Sequence, residues 1–414
     1  MGPFKLAAMA WRNLWRNTRR TIITLASVAF AVFLAVLMTG VQDWSWEEVI
    51  NTAARLGSGH VTVQHAEYQE QPALSRTINA SADVLSRVRA LSHVTGATPR
   101  IGGQVMLSTA RDSAGAGFIA YDPAQESTQT LSILGALQEG ALFRGADDAG
   151  IILGWRLARN LGAELGSKIV YTLTDRHGEI VNGLARVSGI VRTGSPSADL
   201  GLCFLPIGTV RTTLGYGPDE VTQLAVFTDD QRRSEAVAAA IGSSVPGAVA
   251  LSWKETQPDL VSMIAMKRGG TTFFEILILV LCAAGIFNTL FVSVMERLRE
   301  FGVLVAIGMS PALLFLMIML ESLWLSLIGL AAAALVTALP YHHLATTGVD
   351  LSARLGTQQA DVAGIGMSMV LKVGIYPENA LVIAAAAVVA TLAAGLYPAW
   401  RAGRVEPVDA IKLV

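Results

Sequence analysis

The sequence predicts an α-helical membrane protein with four transmembrane helices and a large extracytoplasmic α+β domain. Three observations carry that expectation. The chain of 414 residues is 52% hydrophobic and only 15% charged, with a mean hydropathy of +0.49, whereas soluble domains carry about 25% charged residues. Four apolar stretches are long enough to cross a bilayer, which takes about 20 residues. Between the first and second of them lies a long segment of ordinary globular composition, in which strand-like alternation and helical spacing take turns.

The elements follow in order. Residues 1–20 have helical period and read as a cytoplasmic amphipathic helix: Phe4, Ala8, Trp11 and Trp15 share one side, with Lys5, Arg12, Arg16 and Arg19 on the adjacent flank. Such a helix lies in the inner interface, tryptophans in the lipid boundary and cations toward headgroups. These residues carry no acid, so the positive-inside rule puts the N-terminus in the cytoplasm. Residues 21–42 form the first span. Residues 43–270 are the outer domain. Here GHVTVQH (59–65), SADVLSRVRAL (81–91, with Ser81 as N-cap) and GGQVMLST (102–109) read as strand, helix and strand. An inserted β-rich part covers about 137–215, after which 221–230 and 232–243 add a strand and a helix to the first part. Residues 253–276 have helical spacing despite Pro258 and lead as a stalk into the second span, 271–295. Lys267 and Arg268 sit outside, a mild departure from the charge rule that a long translocated domain tolerates. Residues 296–310 form a cytoplasmic helix, 311–340 the third span, 341–379 an outer loop with a short helix and a hairpin, and 380–400 the fourth span. The tail, 401–414, is cytoplasmic.

Chemistry-bearing motifs are few. There is no G-x-x-x-x-G-K-[ST] phosphate loop, no H-E-x-x-H, no C-x-x-C and no G-x-S-x-G. No catalytic residue, metal ligand or cofactor site is therefore assigned, and the chain reads as a non-enzyme whose energy comes from a partner or an ion gradient. Nothing points to nucleic acid. The two cysteines, Cys203 and Cys282, are not expected to pair. An ion gradient would need buried ionisable groups, and only Glu321 qualifies. It sits about 15 Å into the third span at 1.5 Å per residue, near the expected midplane, without a basic mate. Structural pairing and a transport role both stay open for it. Glu275, at the outer end of the second span, reads as interfacial.

One stretch breaks the apolar pattern: MERLREFGVLVAIGMSP, 295–311, with four charges in five residues. Met295 to Ile307 can run as a helix that Gly308 stops, glycine taking the left-handed conformation cheaply. Ser310 and Pro311 then cap and open the next helix. A short helix with charges at its start and an apolar run could drop into a groove of a cytoplasmic protein.

This stretch, continued as MERLREFGVLVAIGMSPALL (295–314), resembles the coupling-helix loop of the MacB/FtsX-like permease family of type VII ABC transporters. LYPAWRAGRVEPVDAIK (396–412) resembles that family's closing segment, and AWRNLWRNTRRT (10–21) is similar to its N-terminal helix. The resemblance implies that Glu296, Arg297, Glu300, Gly302 and Gly308, with Arg299, Phe301 and Ser310, contact or shape an ATPase interface. It implies a dimer with a second permease copy or paralogue, two copies of a cytoplasmic ABC ATPase that holds the ATP and Mg, and an outer domain made of a porter-like β-α-β subdomain with a β-rich insertion. The work is mechanotransmission: closure of the spans moves the outer domains, and substrate does not pass through the membrane. The layout is most similar to permeases of lipoprotein-releasing systems, which extract lipoproteins from the outer leaflet of the bacterial inner membrane and hand them to a periplasmic carrier. A MacB-like efflux permease for toxins or peptides, or an FtsX-like signalling module acting on a cell-wall hydrolase, are the alternatives. For lipid chains, a greasy cleft between spans one and two of opposing subunits is expected from Phe30, Phe33, Leu34, Leu37, Phe287, Leu290 and Phe291.

Overall fold

The apolar stretches become helices longer than the hydrocarbon thickness alone requires. In the computed structural model, which describes residues 3–404 apart from 243, 244, 246, 353–358, 363 and 364, α1 (Pro3–Leu14) is followed through a 3-10 turn by α2 (Thr18–Ala53). α2 runs past the expected end of span one at 42. The second span is part of α9 (Pro258–Glu296), α11 (Pro311–Thr346) carries the third through Pro340, and α12 (Pro377–Gly403) the fourth. All four are long and apolar enough to cross a membrane. The last ten residues of the expected tail, 405–414, lie outside the described residues.

The chain divides into two units. The helical unit, residues 1–45, 265–349 and 370–414, has two layers of core. In one, Val28 and Val32 of α2 meet Ile286 and Leu290 of α9, Leu325 of α11 and Ala387 and Ala394 of α12. Small residues set the helix spacing, as in other membrane bundles: a Cβ on Gly329 would come within 2.6 Å of Val28 Cγ1. In the other layer, Leu6 and Ala10 of α1 pack with Val294, Phe301, Leu314, Met317, Ala399 and Ala402. Ten residues before α2 ends, Asp43 accepts from Asn379 Nδ2 (2.9 and 2.8 Å) and from the Tyr376 N–H (3.1 Å). That clamp fixes the start of α12, and nothing local in the sequence marked it.

The globular unit, residues 46–264 and 350–369, is mixed α and β. Its strands are β1 (Val61–His65), β2 (Ile78–Asn79), β3 (Val94–Ser108), β4 (Ser113–Tyr121), β5 (Leu137–Gly140), β6 (Gly150–Gly154), β7 (Lys168–Thr174), β8 (Ile180–Val191), β9 (Leu202–Pro206), β10 (Glu220–Val221), β11 (Gln223–Thr228) and β12 (Ala248–Ser252). Its helices are α3 (Ala82–Arg89), α4 (Trp155–Asn160), α5 (Pro196–Gly201), α6 (Ile207–Leu214), α7 (Ser234–Ile241) and α8 (Trp253–Thr256). The strand order is β12-β1-β11-β3-β4-β9-β6-β8-β5, with β7 bridging β3 and β8. β11 lies antiparallel to both β1 and β3, so β1 and β3 run parallel with α3 joining them. Ser81 caps α3, accepting from the Val84 N–H.

The boundary of the insertion differs from the expected 137. The 15-residue β3 changes partner along its length: Val94–Arg100 pairs with β11, Ile101–Ser108 with β4. The second sheet thus begins at about residue 101 and takes in all of β4. The composition shift at 137 marks a change of texture within this sheet, whereas a strand shared by two sheets keeps one apolar alternation and hides the seam. At the change-over Arg100 is fully buried. It pairs with Glu126 (Nε to Oε1, 2.7 Å; Nη2 to Oε2, 3.0 Å), donates to the Thr130 carbonyl at 2.9 Å and faces the Phe227 ring. Pro258 does not interrupt a stalk, since Gln257 breaks the helix and Pro258 opens α9, where its missing N–H costs nothing. Two short strands, Gln359–Val362 and Ile365–Ser368, form an antiparallel hairpin within the expected loop 341–379.

Candidate functional site

The elbow between α9 and α11 is shaped by turn chemistry. α9 ends at Glu296, Arg297 leaves the helical region (φ −107°), and α10 (Leu298–Ala306) starts at once. At its end Gly308 takes φ +99°. The Gly308 N–H donates to Val305 O (3.0 Å) and the Met309 N–H to Leu304 O (3.0 Å). Those are the two bonds of a Schellman stop. Ser310 Oγ then accepts from the Leu313 N–H at 3.4 Å, with Pro311 in the first turn of α11.

α10 has two faces. Phe301 and Gly302 are buried, Phe301 at the centre of the layer that holds Leu6, Leu314, Met317 and Ala402. On the opposite side Arg299, Val303, Ala306 and Ile307 are exposed. Their spacing places them on one stripe, and Ile307 is 76% exposed.

The elbow carries four charges, Glu296, Arg297, Arg299 and Glu300. Three of the four are held within the chain. Arg16 makes a two-pronged pair with Glu300, Nη1 to Oε2 at 2.7 Å and Nη2 to Oε1. Arg20 Nη2 donates to Glu296 Oε1 at 2.8 Å. Arg297 donates to Glu300 at 3.4 Å, and its guanidinium carbon lies 5.1 Å from the Phe301 ring centroid. The hydrogen bond from Arg16, aided by Arg297, holds the Glu300 carboxyl below its usual range. Arg299 alone of the four has no partner among the described residues.

Glu321 also departs from its reading as a carboxylate without a basic mate. Asn13 Nδ2 donates to its Oε1 at 2.8 Å, and Arg297 Nη1 lies 3.5 Å from the same oxygen. The mate comes from the elbow, so Glu321 belongs to the same network as Glu300. The amphipathic helix has a third face as well. Leu6, Ala10 and Leu14 are buried in the bundle, while Phe4, Trp11 and Trp15 are exposed. Trp11 touches Trp324 edge-on at 5.1 Å. Asn13, Arg16 and Arg20 were not singled out as site residues from the sequence. Their partners lie about 300 positions away, beyond any local pattern.

The residues expected to form a cleft for lipid chains fare unevenly. Phe30 and Phe33 are neighbours, with ring centroids 6.3 Å apart, and Phe30 is 64% exposed. Leu34 and Leu37 are half-buried. Phe287 and Phe291 stack at 5.8 Å and lean on Tyr397. Leu290, however, is buried in the core of its own bundle, so it is not free to line a cleft between subunits. An apolar cavity of about 240 Å³ opens between α2, α9 and α12, and none of these seven residues lines it.

A bundle of membrane-length helices bearing a mixed α/β globular unit, with a capped helical elbow, defines a multi-pass membrane permease with an extracytoplasmic domain. The comparisons agree. Residues 21–244 match the MacB-like periplasmic core domain and residues 272–407 the FtsX-like permease C-terminal domain. The chain belongs to the MacB/FtsX-like family of ABC transporter permeases. It is 23% identical over 96% of its length to the lipoprotein-releasing system transmembrane protein LolC of Xylella fastidiosa, covering 95% of that protein. It is 24% identical over 97% of its length to the pyoverdine export ATP-binding/permease protein PvdT of Pseudomonas entomophila, of which it spans 58%. The periplasmic region of MacB from Actinobacillus actinomycetemcomitans is a structural neighbour at 14% identity, covering 51% of this chain and 95% of that region, with a TM-score of 0.33.

Proposed function

We propose that this chain is the permease subunit of an ABC transporter that works by mechanotransmission and extracts lipoproteins from the outer leaflet of the inner membrane, delivering them to a periplasmic carrier. The observation that carries the reading is end-to-end similarity to a lipoprotein-releasing transmembrane protein, in a chain with no phosphate-binding loop. ATP and Mg then belong to a partner ATPase, two copies of which serve a pair of permeases. The exposed stripe of α10, Arg299, Val303, Ala306 and Ile307, is the face offered to that ATPase. The inward charges keep α10 rigid on the bundle, so that a push on it reaches α9 and α11. In this reading both termini lie in the cytoplasm, on the same side as the elbow, since α1, α10 and the end of α12 pack in one layer.

Lipid anchors are held by about 0.8 kcal/mol per buried CH₂, so release needs an external stroke. The test is reconstitution with the cognate ATPase in vesicles loaded with an acylated protein, alone and with a periplasmic carrier. ATP-dependent appearance of the acylated protein in the soluble fraction is expected. Release of a small toxin or peptide with no effect on the acylated protein would favour the efflux alternative, for which the match to the MacB-like core domain speaks.

A further inference from the structure

The cavity between α2, α9 and α12 is a groove in the helical unit with a chemical polarity. Its walls are apolar, with Val32, Leu279, Cys282, Ile286, Ile383 and Ala387 among them, and one carboxylate, Glu275, is part of the lining. From Thr272 to Ile286 the groove follows α9 for about 21 Å at 1.5 Å per residue. Its volume is about 240 Å³. An apolar cavity of this kind is not stabilised by water, and in a bilayer the filler that is always at hand is a hydrocarbon chain.

Glu275 gives the occupant a head. It lies on α9, ten residues inside the helical unit, and is only half-buried. Thr39 Oγ1, itself buried, donates to Glu275 Oε1 at 2.9 Å. That bond aims the carboxylate, and Oε2 has no hydrogen-bond partner among the described residues. Ionisable groups within spans are costly, so one left with an unpaired oxygen beside an apolar groove is a functional-site signal. A carboxylate with a free oxygen above an apolar slot complements a protonated amine on a lipid chain. We propose that the groove is a binding site for an amine-headed phospholipid of the surrounding membrane, one acyl chain lying along α9 and the ammonium donating to Glu275. The site is built within one copy of the chain and does not depend on what the transporter carries.

Cys282 reports on occupancy, because it lines the groove and the other cysteine, Cys203, is fully buried. The full-length protein, delipidated in detergent, would be alkylated with N-ethylmaleimide and followed by mass. Dioleoylphosphatidylethanolamine is expected to slow modification of Cys282 about tenfold more than dioleoylphosphatidylglycerol, a charge-assisted hydrogen bond replacing a like-charge contact. Dioleoylphosphatidylcholine, whose quaternary head has no N–H, should fall between. Glu275→Gln, of the same shape, should erase the ranking while leaving some protection by every lipid. Should that variant not fold, Thr39→Val, which removes only the aiming hydroxyl, is expected to weaken the preference. Equal protection by the three lipids, or none, overturns the proposal. So does protection by a triacylated lipopeptide in the absence of protection by phosphatidylethanolamine. Failure of lipoprotein release in the vesicle assay leaves the proposal standing.

Discussion

At the scale of single residues, the elbow separates two jobs that its charge-rich sequence runs together. Glu296, Arg297 and Glu300 secure α10 to the N-terminal region and to Glu321, and the free stripe is mostly apolar. Ile307→Asp should therefore cut co-purification of the ATPase at least tenfold, about 1.4 kcal/mol, with insertion and folding intact. Pull-down from membranes checks it. Glu300→Lys should abolish ATPase stimulation by placing a third cation beside Arg16 and Arg297, and Arg16→Glu combined with Glu300→Arg should recover part of it. A structural pair of the ordinary exposed kind would show no recovery, because such pairs contribute little. In the outer domain, Arg100→Ala would leave Glu126 buried without its counter-charge, at a cost of about 3–5 kcal/mol, visible as a lower unfolding temperature. His60 supplies a pH dependence. Burial, more than the charge of Arg55, lowers its pKa to about 4. The neutral ring accepts from the Thr228 N–H and contacts Asn51 Oδ1 through Nε2. The unfolded chain takes up the proton first, so the stability from this site is full above about pH 6.5, falls as pH drops, and is lost by about pH 4. Urea midpoints between pH 7 and 4 should show that slope, and His60→Gln should flatten it. The partners in all of these contacts are distant in sequence. Residue type and local spacing could name Glu300 or Gly308, but not what each one touches.

At the scale of elements, legibility depended on whether a boundary had a local cause. Gly308, Ser310 and Pro311 mark theirs by backbone preference alone, and Ser81 caps a helix in the usual way. The ends of the spans have no such marks. α2 continues into residues of globular composition, because a helix already formed extends through any sequence that does not break it. The seam between the two sheets falls inside β3 for a related reason: both halves of the strand need the same alternation. Close helix approach was also illegible, since a glycine in an apolar run looks alike whether it faces lipid or a neighbour. Gly329→Leu should force α11 off Val28, lowering the detergent melting temperature by several degrees. The same change at Gly285, where a side chain meets open space, should cost little, and the pair of melts tests the packing.

At the scale of the whole molecule, the class was readable because the bilayer leaves so few solutions. Backbone groups in hydrocarbon must be satisfied within a helix or a closed barrel, so four apolar runs announce four helices. The division into a helical and a globular unit follows from the same contrast in composition. What escaped was everything set by the third dimension: the groove beside Glu275, the clamp at Asp43 and the burial of Leu290. The inner layer of the helical unit has a consequence for how the protein is made. Leu6 and Ala10 leave the ribosome first, whereas Ala399 and Ala402, which close over the same Phe301-centred cluster, leave it almost four hundred residues later. At about 5–20 residues per second that interval is roughly 20–80 s. For all of it the nascent N-terminal helix has no complete seat, and a chain stalled before its fourth span would expose that unfinished cluster to the cell's membrane proteases.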